Sequence, residues 1–449
     1  MGKVFAVFMA LVSIQVLAST SQTLDLARPG EVLVKIRKGQ VGKFLAKKSF
    51  LGVEVIKELR LLTGEYFLLS GKESVSTLVK SFHAMPEVEI AEPNFKYRTS
   101  GTTSSLRKFF FPQRSKSSSA PNDPLYSWQW GMHNTGDNEP NPSRKIDQRN
   151  LAGIDIQAES AWSLAKGSRK VIVGVVDSGI DVTHPDLRSN IWVNKNEIPN
   201  NAKDDDNNGY IDDVYGWSGL TNSGNVTDGT GHGTHCAGTI GAEHDNGIGI
   251  AGVMSEVSIM ALKFIDEDGF GSTADAVEVI DYGIRMGVNV LSNSWGGGPY
   301  SLILENIILK ARDRGILFIA ASGNDGISND LNLYYPANYP FSNVIAVANH
   351  TGMDQLSIYS NYGANNVQVA APGNMILSTI PGGGYQVRSG TSMATPYVAG
   401  AMGLLISEEG NLPVADLRER LLNSVIKSKA YQNKVKFQGR LNLYQLLTK

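Results

Sequence analysis

The chain has 449 residues, of which 41 are lysine or arginine and 43 are aspartate or glutamate, so its formal net charge is −2. This near-neutral balance argues against nucleic acid or an anionic membrane surface as a partner. The length exceeds what one hydrophobic core usually holds and predicts two folded units joined by a linker. Because Cys236 is the only cysteine, an internal disulfide is excluded.

The N-terminal segment MGKVFAVFMALVSIQVLAST begins with a lysine, continues with an apolar run and ends in small residues. This pattern predicts a signal peptide over residues 1–18, cleaved after Ala18. The alternative is a membrane anchor, but the apolar run from Val4 to Ala18 is short for spanning a bilayer, and no later segment approaches that length. We therefore expect a secreted protein, extracellular or periplasmic, without a stable membrane anchor.

Residues 19–98 are predicted to form a small α+β domain. Extended segments and amphipathic helices follow one another in the order β-α-β-β-α-β, which is typical of a ferredoxin-like sandwich. The predicted strands are 31–37, 51–59, 64–70 and 88–98, and the predicted helices are 40–49 and 74–85.

Residues 99–122 differ in composition, because Ser, Thr, Lys and Pro dominate. This predicts an exposed linker that contains a processing site. The run FFF at 109–111 is unusual in such a linker, and two interpretations stay open: it docks in a groove, or it is a processing signal.

Residues 123–449 alternate strands with helices. Four nearly continuous apolar runs end in polar or glycine residues, which favours strands buried on both faces of a parallel sheet. These runs are 170–181, 257–266, 288–297 and 315–326, with helical patterns at 273–286 and 301–313. The pattern predicts an α/β fold with a doubly wound, mostly parallel sheet. Because ligands of such sheets bind beyond the carboxyl ends of the strands, Asp177, Ser294–Gly297 and Asn324 deserve consideration as site residues.

A buried helix is predicted from about Met393, since SGTSMATPYVAGAMGLLI is rich in small apolar residues. Pro396 agrees with a start at this point, because proline fits the first turn of a helix. Ser392 would then lie where free backbone N–H groups point outward. Taken alone, this serine is most simply an N-cap.

Asp177, His232 and Asn324 also have ordinary explanations when taken singly. Asp177 and Asn324 could be turn residues, and His232 lies in the glycine-rich segment DGTGHGTHCAG. Together with Ser392, however, they supply a carboxylate, a base, an amide donor and a nucleophile. Those are the parts of acyl transfer, in which a base activates a serine, a carboxylate orients the base and an amide stabilises the oxyanion.

The segments around these residues resemble those of subtilisin-like serine proteases, the subtilases. VVDSGID, GHGTHCAGT and GTSMATP match the three signature blocks of the family in order and spacing, and ASGNDG resembles its oxyanion segment. The similarity extends from about 120 to 449, and the order Asp, His, Ser is that of subtilisin. The resemblance implies that Asp177 orients His232, which is the base, that Ser392 attacks the substrate, and that Asn324 stabilises the oxyanion.

The resemblance also implies where a polypeptide substrate binds. SWGG (294–297) and DGFG (268–271) would pair with the substrate backbone as neighbouring strands, and AASG (320–323) would form a wall of the pocket for the side chain before the scissile bond. The implied substrate-binding residues are Ser294, Trp295, Gly296, Gly269, Gly271, Ala321 and Gly323.

Residues 19–98 resemble the inhibitory propeptide of the same family, with VEIAEPNFKYR (88–98) close to its final strand. The implied role is an intramolecular chaperone and inhibitor whose tail crosses the active site until it is cut.

Two further side chains near His232 suggest alternatives. His232 and His235 could indicate zinc, but no HExxH pattern and no third ligand accompany them. Cys236 is in the segment HGTHCAG, which resembles the thermitase and proteinase K branch of the family. We expect it to act as a small buried hydrophobic residue, because Ser392 already fills the nucleophile position.

The acidic segment NNAKDDDNNGYIDDVYGW (200–217) resembles the first half of a calcium loop. Its glutamate is missing, since Tyr215 stands at that position, and the alternative is a solvated acidic loop. Repulsion between five aspartates within ten residues favours a bound cation. The candidate ligands are Asp204, Asp206, Asn208 and Asp213.

A second calcium site is implied by the resemblance. EHDNGIGIAGV (243–253) matches the family's calcium loop in length, with Asn246 at the ligand position. Asp186 in THPDL and Asp123 in PNDPLY match carboxylate ligands of thermitase-like members.

The leading hypothesis is a secreted, monomeric serine endopeptidase made as a self-processing precursor, with structural calcium. One alternative is a subtilase fold that has lost catalysis and binds peptides in its groove. Another is an enzyme that cleaves only its own propeptide and otherwise acts as a peptide-binding protein. The presence of all four candidate catalytic residues argues against a loss of catalysis.

Overall fold

The structure, a computed structural model, describes residues 25–48, 51–99, 102–103, 120–140, 150–410 and 412–449. The predicted signal peptide (1–18) and the FFF run lie outside the described residues. The α-helices are α1 (Val41–Lys48), α2 (Val75–His83), α3 (Ala158–Trp162), α4 (His232–Gly241), α5 (Thr273–Arg285), α6 (Leu302–Asp313), α7 (Thr391–Glu409), α8 (Val414–Ser424) and α9 (Leu443–Thr448). The strands are β1 (Ala27–Ile36), β2 (Val53–Leu61), β3 (Gly64–Gly71), β4 (Val88–Thr99), β5 (Thr102–Thr103), β6 (Gly167–Asp177), β7 (Gly216–Ser218), β8 (Glu256–Lys263), β9 (Phe270–Ser272), β10 (Val290–Asn293), β11 (Trp295–Gly296), β12 (Leu317–Ala321), β13 (Val344–Thr351), β14 (Gln355–Leu356), β15 (Val369–Pro372), β16 (Ile376–Ile380), β17 (Gly384–Ser389), β18 (Ile426–Lys427) and β19 (Gly439–Arg440).

The N-terminal unit is a four-stranded antiparallel sheet in the order β4-β1-β3-β2, packed against α1 and α2. Alternate residues of β1 face its core, where Val32 and Val34 pack with Phe44 of α1 and Phe82 of α2. This alternation is the period of a strand with one face buried. The ferredoxin-like arrangement predicted from the sequence is therefore confirmed.

The larger unit is built on a ten-stranded sheet in which β7, β8, β6, β10, β12, β13, β15 and β19 are successive parallel neighbours. Only β14 and β18 pair antiparallel. Because β6 has β8 on one side and β10 on the other, the chain winds outward in both directions from this strand. The predicted doubly wound, mostly parallel α/β fold is confirmed.

Helices cover both faces of this sheet. On β12, Leu317 and Ile319 belong to the core under α4 and α7, whereas Phe318 and Ala320 belong to the core under α5 and α6. A strand buried on both faces has no polar alternation, which explains the continuous apolar runs in the sequence. None of the helices in the described ranges combines the length and apolar character that a bilayer-spanning segment needs.

The last strand of the N-terminal unit reaches into the larger unit. The C-terminal half of β4 lies between β9 and β11 and pairs antiparallel with both. Further along the chain, β5 pairs antiparallel with β17, with Thr102 opposite Ser389. The chain therefore approaches α7 along β9 and β11 and leaves it along β17.

Side chains of the N-terminal unit also cap two helices of the larger unit. The Glu92 carboxylate accepts hydrogen bonds from Ser301 Oγ and, at 2.9 Å, from the Leu302 N–H at the start of α6. Asn94 Oδ1 accepts from the Ala274 N–H of α5 at 3.1 Å. These bonds satisfy N–H groups that have no partner within their own helices.

Candidate active site

Asp177 and His232 form the centre of the candidate site. Asp177 is the last residue of β6, His232 is the first residue of α4, and both are buried. The imidazole Nδ1 lies 2.8 Å and 3.0 Å from the two carboxylate oxygens. Because an ionised carboxylate only accepts hydrogen bonds, Nδ1 carries the proton and Nε2 presents a lone pair. Nε2 is buried and has no hydrogen-bond partner among the described residues, so it is available as a base.

A second carboxylate, Asp228, holds the start of α4 against the end of β6. One oxygen of Asp228 accepts from Ser178 Oγ at 2.8 Å and from the Gly231 N–H at 2.8 Å. The other accepts from the Thr234 N–H at 2.9 Å. Since Ser178 follows Asp177 and Gly231 precedes His232, these bonds set the relative position of the pair. The sequence analysis missed Asp228, although an acidic residue ahead of a helix start is a recognisable N-terminal signal.

Ser392 lies in the first turn of α7, which begins at Thr391, two residues earlier than predicted. Pro396 is consequently in the second turn, so it cannot donate the helical hydrogen bond to the Ser392 carbonyl. That carbonyl instead accepts from Ser294 Oγ at 2.9 Å, and Ser392 Oγ donates to the Ser294 carbonyl at 3.0 Å. This reciprocal pair joins the start of α7 to the turn between β10 and β11.

Asn324 lies beside the same helix start. Its Oδ1 accepts from the Thr391 N–H at 2.9 Å, which fixes the plane of the amide. The preceding Gly323, at φ +108°, donates its N–H to Thr391 Oγ1 at 3.3 Å. The loop after β12 is thus attached to the residue before Ser392.

Two of the three segments predicted to bind substrate lie along β4. Tyr97 pairs with Gly271, Arg98 pairs with Gly296, and Thr99 pairs with Trp295. The Thr99 N–H also donates to the Gly269 carbonyl at 3.2 Å. Ala321 is the last residue of β12, and Gly323 lies two positions later, directly before Asn324. The structure therefore places Gly269, Gly271, Trp295 and Gly296 along β4, Ser294 against Ser392, and Ala321 and Gly323 close to Asn324.

His235 and Cys236 have structural contacts. His235 is fully buried, its Nε2 lies 3.0 Å from the Gln386 carbonyl, and burial lowers its pKa well below the usual value. The Cys236 Sγ lies 3.6 Å from the Ser392 carbonyl, and burial raises the pKa of its thiol. Ligand atoms of Asp177, His232 and Cys236 lie within 4.8 Å of one another.

The candidate calcium site implied by the family resemblance brings together Asp123, Asp186 and Asn246. Both Asp123 oxygens accept backbone N–H groups of the 245–246 turn, and Asn246 Nδ2 donates to Asp186 at 2.8 Å. Burial raises the pKa of Asp186 to about 6, and the neighbouring Asp123 carboxyl contributes to the rise. Asn246 Oδ1 accepts from the Ile248 N–H at 2.9 Å. Two buried carboxylates that both contact Asn246 suit a divalent cation.

The candidate calcium site of the acidic segment 200–217 contains a glutamate that the sequence pattern did not predict. Carboxylate oxygens of Glu197, Asp204 and Asp206 lie within 4.8 Å of one another. The calcium-loop pattern expects its glutamate at the end of the loop, whereas Glu197 precedes the acidic segment. The pattern therefore did not predict Glu197. Asp204 and Asp206 both accept the Asn208 N–H, at 3.0 and 3.1 Å.

Asp213 is more deeply placed than the other predicted ligands of this loop. Its carboxylate accepts from Asn194 Nδ2 at 2.9 Å, from Asn208 Nδ2 at 3.0 Å and from the Tyr282 hydroxyl at 2.7 Å. Burial raises the pKa of its carboxyl. These three donors satisfy the Asp213 carboxylate without a metal ion, and the bond from Tyr282 attaches the loop to α5.

Comparison with known proteins decides the family. The model of the Subtilase family, Peptidase S8, matches residues 168–444, which is more than half of the chain. The chain belongs to the subtilase family of serine proteases. A thermophilic serine proteinase of Bacillus sp. (strain AK1) is 32% identical over 422 residues, covering 93% of this chain and 87% of that protein. Subtilisin-like protease 1 of Plasmodium berghei is 34% identical over 342 residues, covering 72% of this chain but only 54% of that protein.

A solved structure agrees with the fold. Fervidolysin from Fervidobacterium pennivorans, described as a keratinolytic enzyme related to subtilisin, superposes with a TM-score of 0.71 and 23% identity. The superposition covers 94% of this subtilase and 61% of fervidolysin. The N-terminal unit is therefore included in the fold match.

Proposed function

We propose that this subtilase is a secreted serine endopeptidase made as a self-processing precursor. The observation that carries the proposal is the Asp177–His232 hydrogen bond, with Ser392 and Asn324 side by side at the start of α7. These groups supply the orienting carboxylate, the base, the nucleophile and the oxyanion donor of peptide hydrolysis.

The reaction begins when the Ser392 hydroxyl turns from the Ser294 carbonyl towards His232 Nε2. Nε2 takes the proton as Oγ attacks the scissile carbonyl, and Asp177 stabilises the resulting imidazolium. Asn324 Nδ2 and a backbone N–H at the start of α7 stabilise the oxyanion. His232 then returns the proton to the leaving amine, and water hydrolyses the acyl-enzyme by the same steps.

The N-terminal unit is proposed to be the inhibitor of its own protease. Its β4 pairs with β9 and β11 as an added strand, and its Glu92 and Asn94 cap α5 and α6. A chain held in this way blocks access of other polypeptides to the same edges. We propose no stable membrane anchor and a monomeric mature enzyme.

The register of the two flanking strands supports a narrower position for the proposed processing site. Thr99 is paired with Trp295 on one side of Ser392, and Thr102 is paired with Ser389 on the other. Only three peptide bonds join Thr99 to Thr102. We therefore propose that maturation cuts one of these bonds, at the start of the predicted 99–122 linker.

Mass spectrometry of the secreted protein tests export, processing and activity together. We expect loss of residues 1–18 in the precursor and a mature N-terminus at residue 100, 101 or 102. The purified mature protein should then hydrolyse casein. A mature N-terminus far from this interval would contradict the register, and correct processing without hydrolysis of any added polypeptide would favour the protein that cleaves only itself.

Calcium is proposed as a structural ion at both candidate sites. The first would be held by Asp123, Asp186 and Asn246, which connect the start of the catalytic unit to two surface loops. The second would be held by Glu197, Asp204 and Asp206, with Asn208 nearby. The ion contributes no chemistry in this proposal, because the candidate catalytic groups include none of these ligands.

We expect calcium to raise the unfolding temperature of the mature enzyme and chelation to accelerate its autolysis. An ion that binds only the native state, at a hundredfold excess over its dissociation constant, stabilises it by about 2.7 kcal/mol. Brief chelation in a cold assay should leave activity nearly intact, whereas prolonged warm incubation should destroy it. Asp186→Asn should reduce the thermal shift produced by calcium. Immediate loss in the cold, restored by zinc but not by calcium, would indicate a metalloenzyme instead.

A further inference from the structure

We propose that Tyr334 closes the pocket for the side chain immediately before the scissile bond, so that the enzyme selects small residues at this position. This inference rests on the proposed function, because it assigns a substrate preference to the same site. Tyr334 was not among the residues that the sequence analysis singled out.

The phenol ring of Tyr334 lies between the two segments that border this pocket. A methyl group added at Gly296 of β11 would lie 2.3 Å from Tyr334 Cε1, and one added at Gly323 would lie 3.0 Å from Cε2. The ring is therefore in contact with both backbones at once. Since these segments are the strand beside the substrate and the wall beside Asn324, the ring occupies the space between them.

The backbone of Tyr334 is held so that the ring stays in this position. Asn338 Oδ1 accepts the Tyr334 N–H at 2.6 Å, and the Asn338 N–H donates to the Tyr334 carbonyl at 3.0 Å. The Gly297 N–H donates to the next carbonyl, that of Tyr335, at 3.1 Å. The side chain itself is 8% exposed. Moving a ring packed to this degree would open a void, which close-packed interiors resist.

The chain's own sequence agrees with a shallow pocket. The interval proposed for processing reads Thr99, Ser100, Gly101, Thr102, so no bond in it follows a large side chain. The nearest large aromatic residue upstream, Tyr97, is accommodated elsewhere, with its ring 5.1 Å from that of Trp295. In the chain's own segment, the large side chains therefore lie two or more positions before the bond proposed to be cut, and the residue directly before that bond is small.

The test compares peptides of the form Tyr-Arg-Thr-X-Gly-Thr, with X as Ala, Ser, Leu or Phe, on the mature enzyme. We expect kcat/KM for cleavage of the X–Gly bond, identified by mass spectrometry of the products, to be about a hundredfold or more higher for X as Ala or Ser than for X as Phe, since the phenyl group has no space. Tyr334→Gly should raise kcat/KM for Phe at least tenfold relative to Ala. Tyr334→Phe should keep the preference for small residues, because the ring and not the hydroxyl fills the pocket.

The outcomes separate this inference from the proposed function. Equal hydrolysis of the X–Gly bond in the Ala and Phe peptides by the wild type would overturn the role of Tyr334 while leaving a working protease, and this result does not depend on whether the glycine variant folds. An unchanged preference in a folded, active Tyr334→Gly enzyme would overturn it as well. Failure of the wild type to hydrolyse any of the peptides or casein would contradict the proposed function, and the inference with it.

Discussion

Ser392→Ala is expected to accumulate as the full-length exported precursor, with the bonds between Thr99 and Thr102 intact and no measurable hydrolysis of casein. The reason is chemical: the alanine side chain has no hydroxyl for His232 Nε2 to activate, so no acyl-enzyme forms. The fold should be retained, because the loss of one hydrogen bond to the Ser294 carbonyl costs about 1 kcal/mol. Intact mass and circular dichroism of the purified variant check both statements.

The matched control for this variant is Cys236→Ala, which removes the only thiol close to Ser392. Since burial raises the pKa of that thiol, it remains protonated, and Cys236→Ala should still process itself. Self-processing by Ser392→Ala, purified away from other proteases, would show that Ser392 is not the nucleophile.

Asn324→Ala is expected to slow turnover by about a hundred- to a thousandfold while leaving substrate affinity nearly unchanged. This magnitude is the one known for the oxyanion asparagine of subtilisin, a member of the same family. The reason is that the amide donor acts on charge that develops in the transition state. Because Asn324 Oδ1 also accepts the Thr391 N–H, we expect a modest fall in the unfolding temperature as well. Steady-state kinetics and thermal unfolding separate the two effects.

Asn332→Ala provides a comparison, because this asparagine lies on the following loop and is exposed. It should leave both kcat and the unfolding temperature close to the wild-type values. If Asn324→Ala instead reduced affinity with kcat preserved, Asn324 would be a substrate-binding residue and the oxyanion would need another donor.

The sequence by itself determined the two fold classes and the residues at the centre of the site. Continuous apolar runs predicted the strands of the parallel sheet: the run 315–326 contains β12, and the run 170–181 covers all of β6 except its first three residues. The pattern is readable because a strand covered on both faces excludes polar residues along its length. A related reason made four residues of the candidate site predictable from the sequence: Asp177, His232, Asn324 and Ser392. Each is embedded in a local motif whose glycines and turn residues constrain the backbone around it.

Only the tertiary structure decided how distant segments meet. Glu197 joins Asp204 and Asp206 although it lies before the predicted calcium loop, and Asp228 links the end of β6 to the start of α4. Pro396 can stand in the second turn of α7 because Ser294 Oγ donates a hydrogen bond to the Ser392 carbonyl, which lacks its helical donor. Tyr334 reaches Gly296 and Gly323 from another loop. Such contacts depend on packing between segments far apart in the chain, whereas periodicity and turn chemistry report only on neighbours. The sequence therefore predicted the candidate catalytic groups, and the packing of distant segments decided what surrounds them.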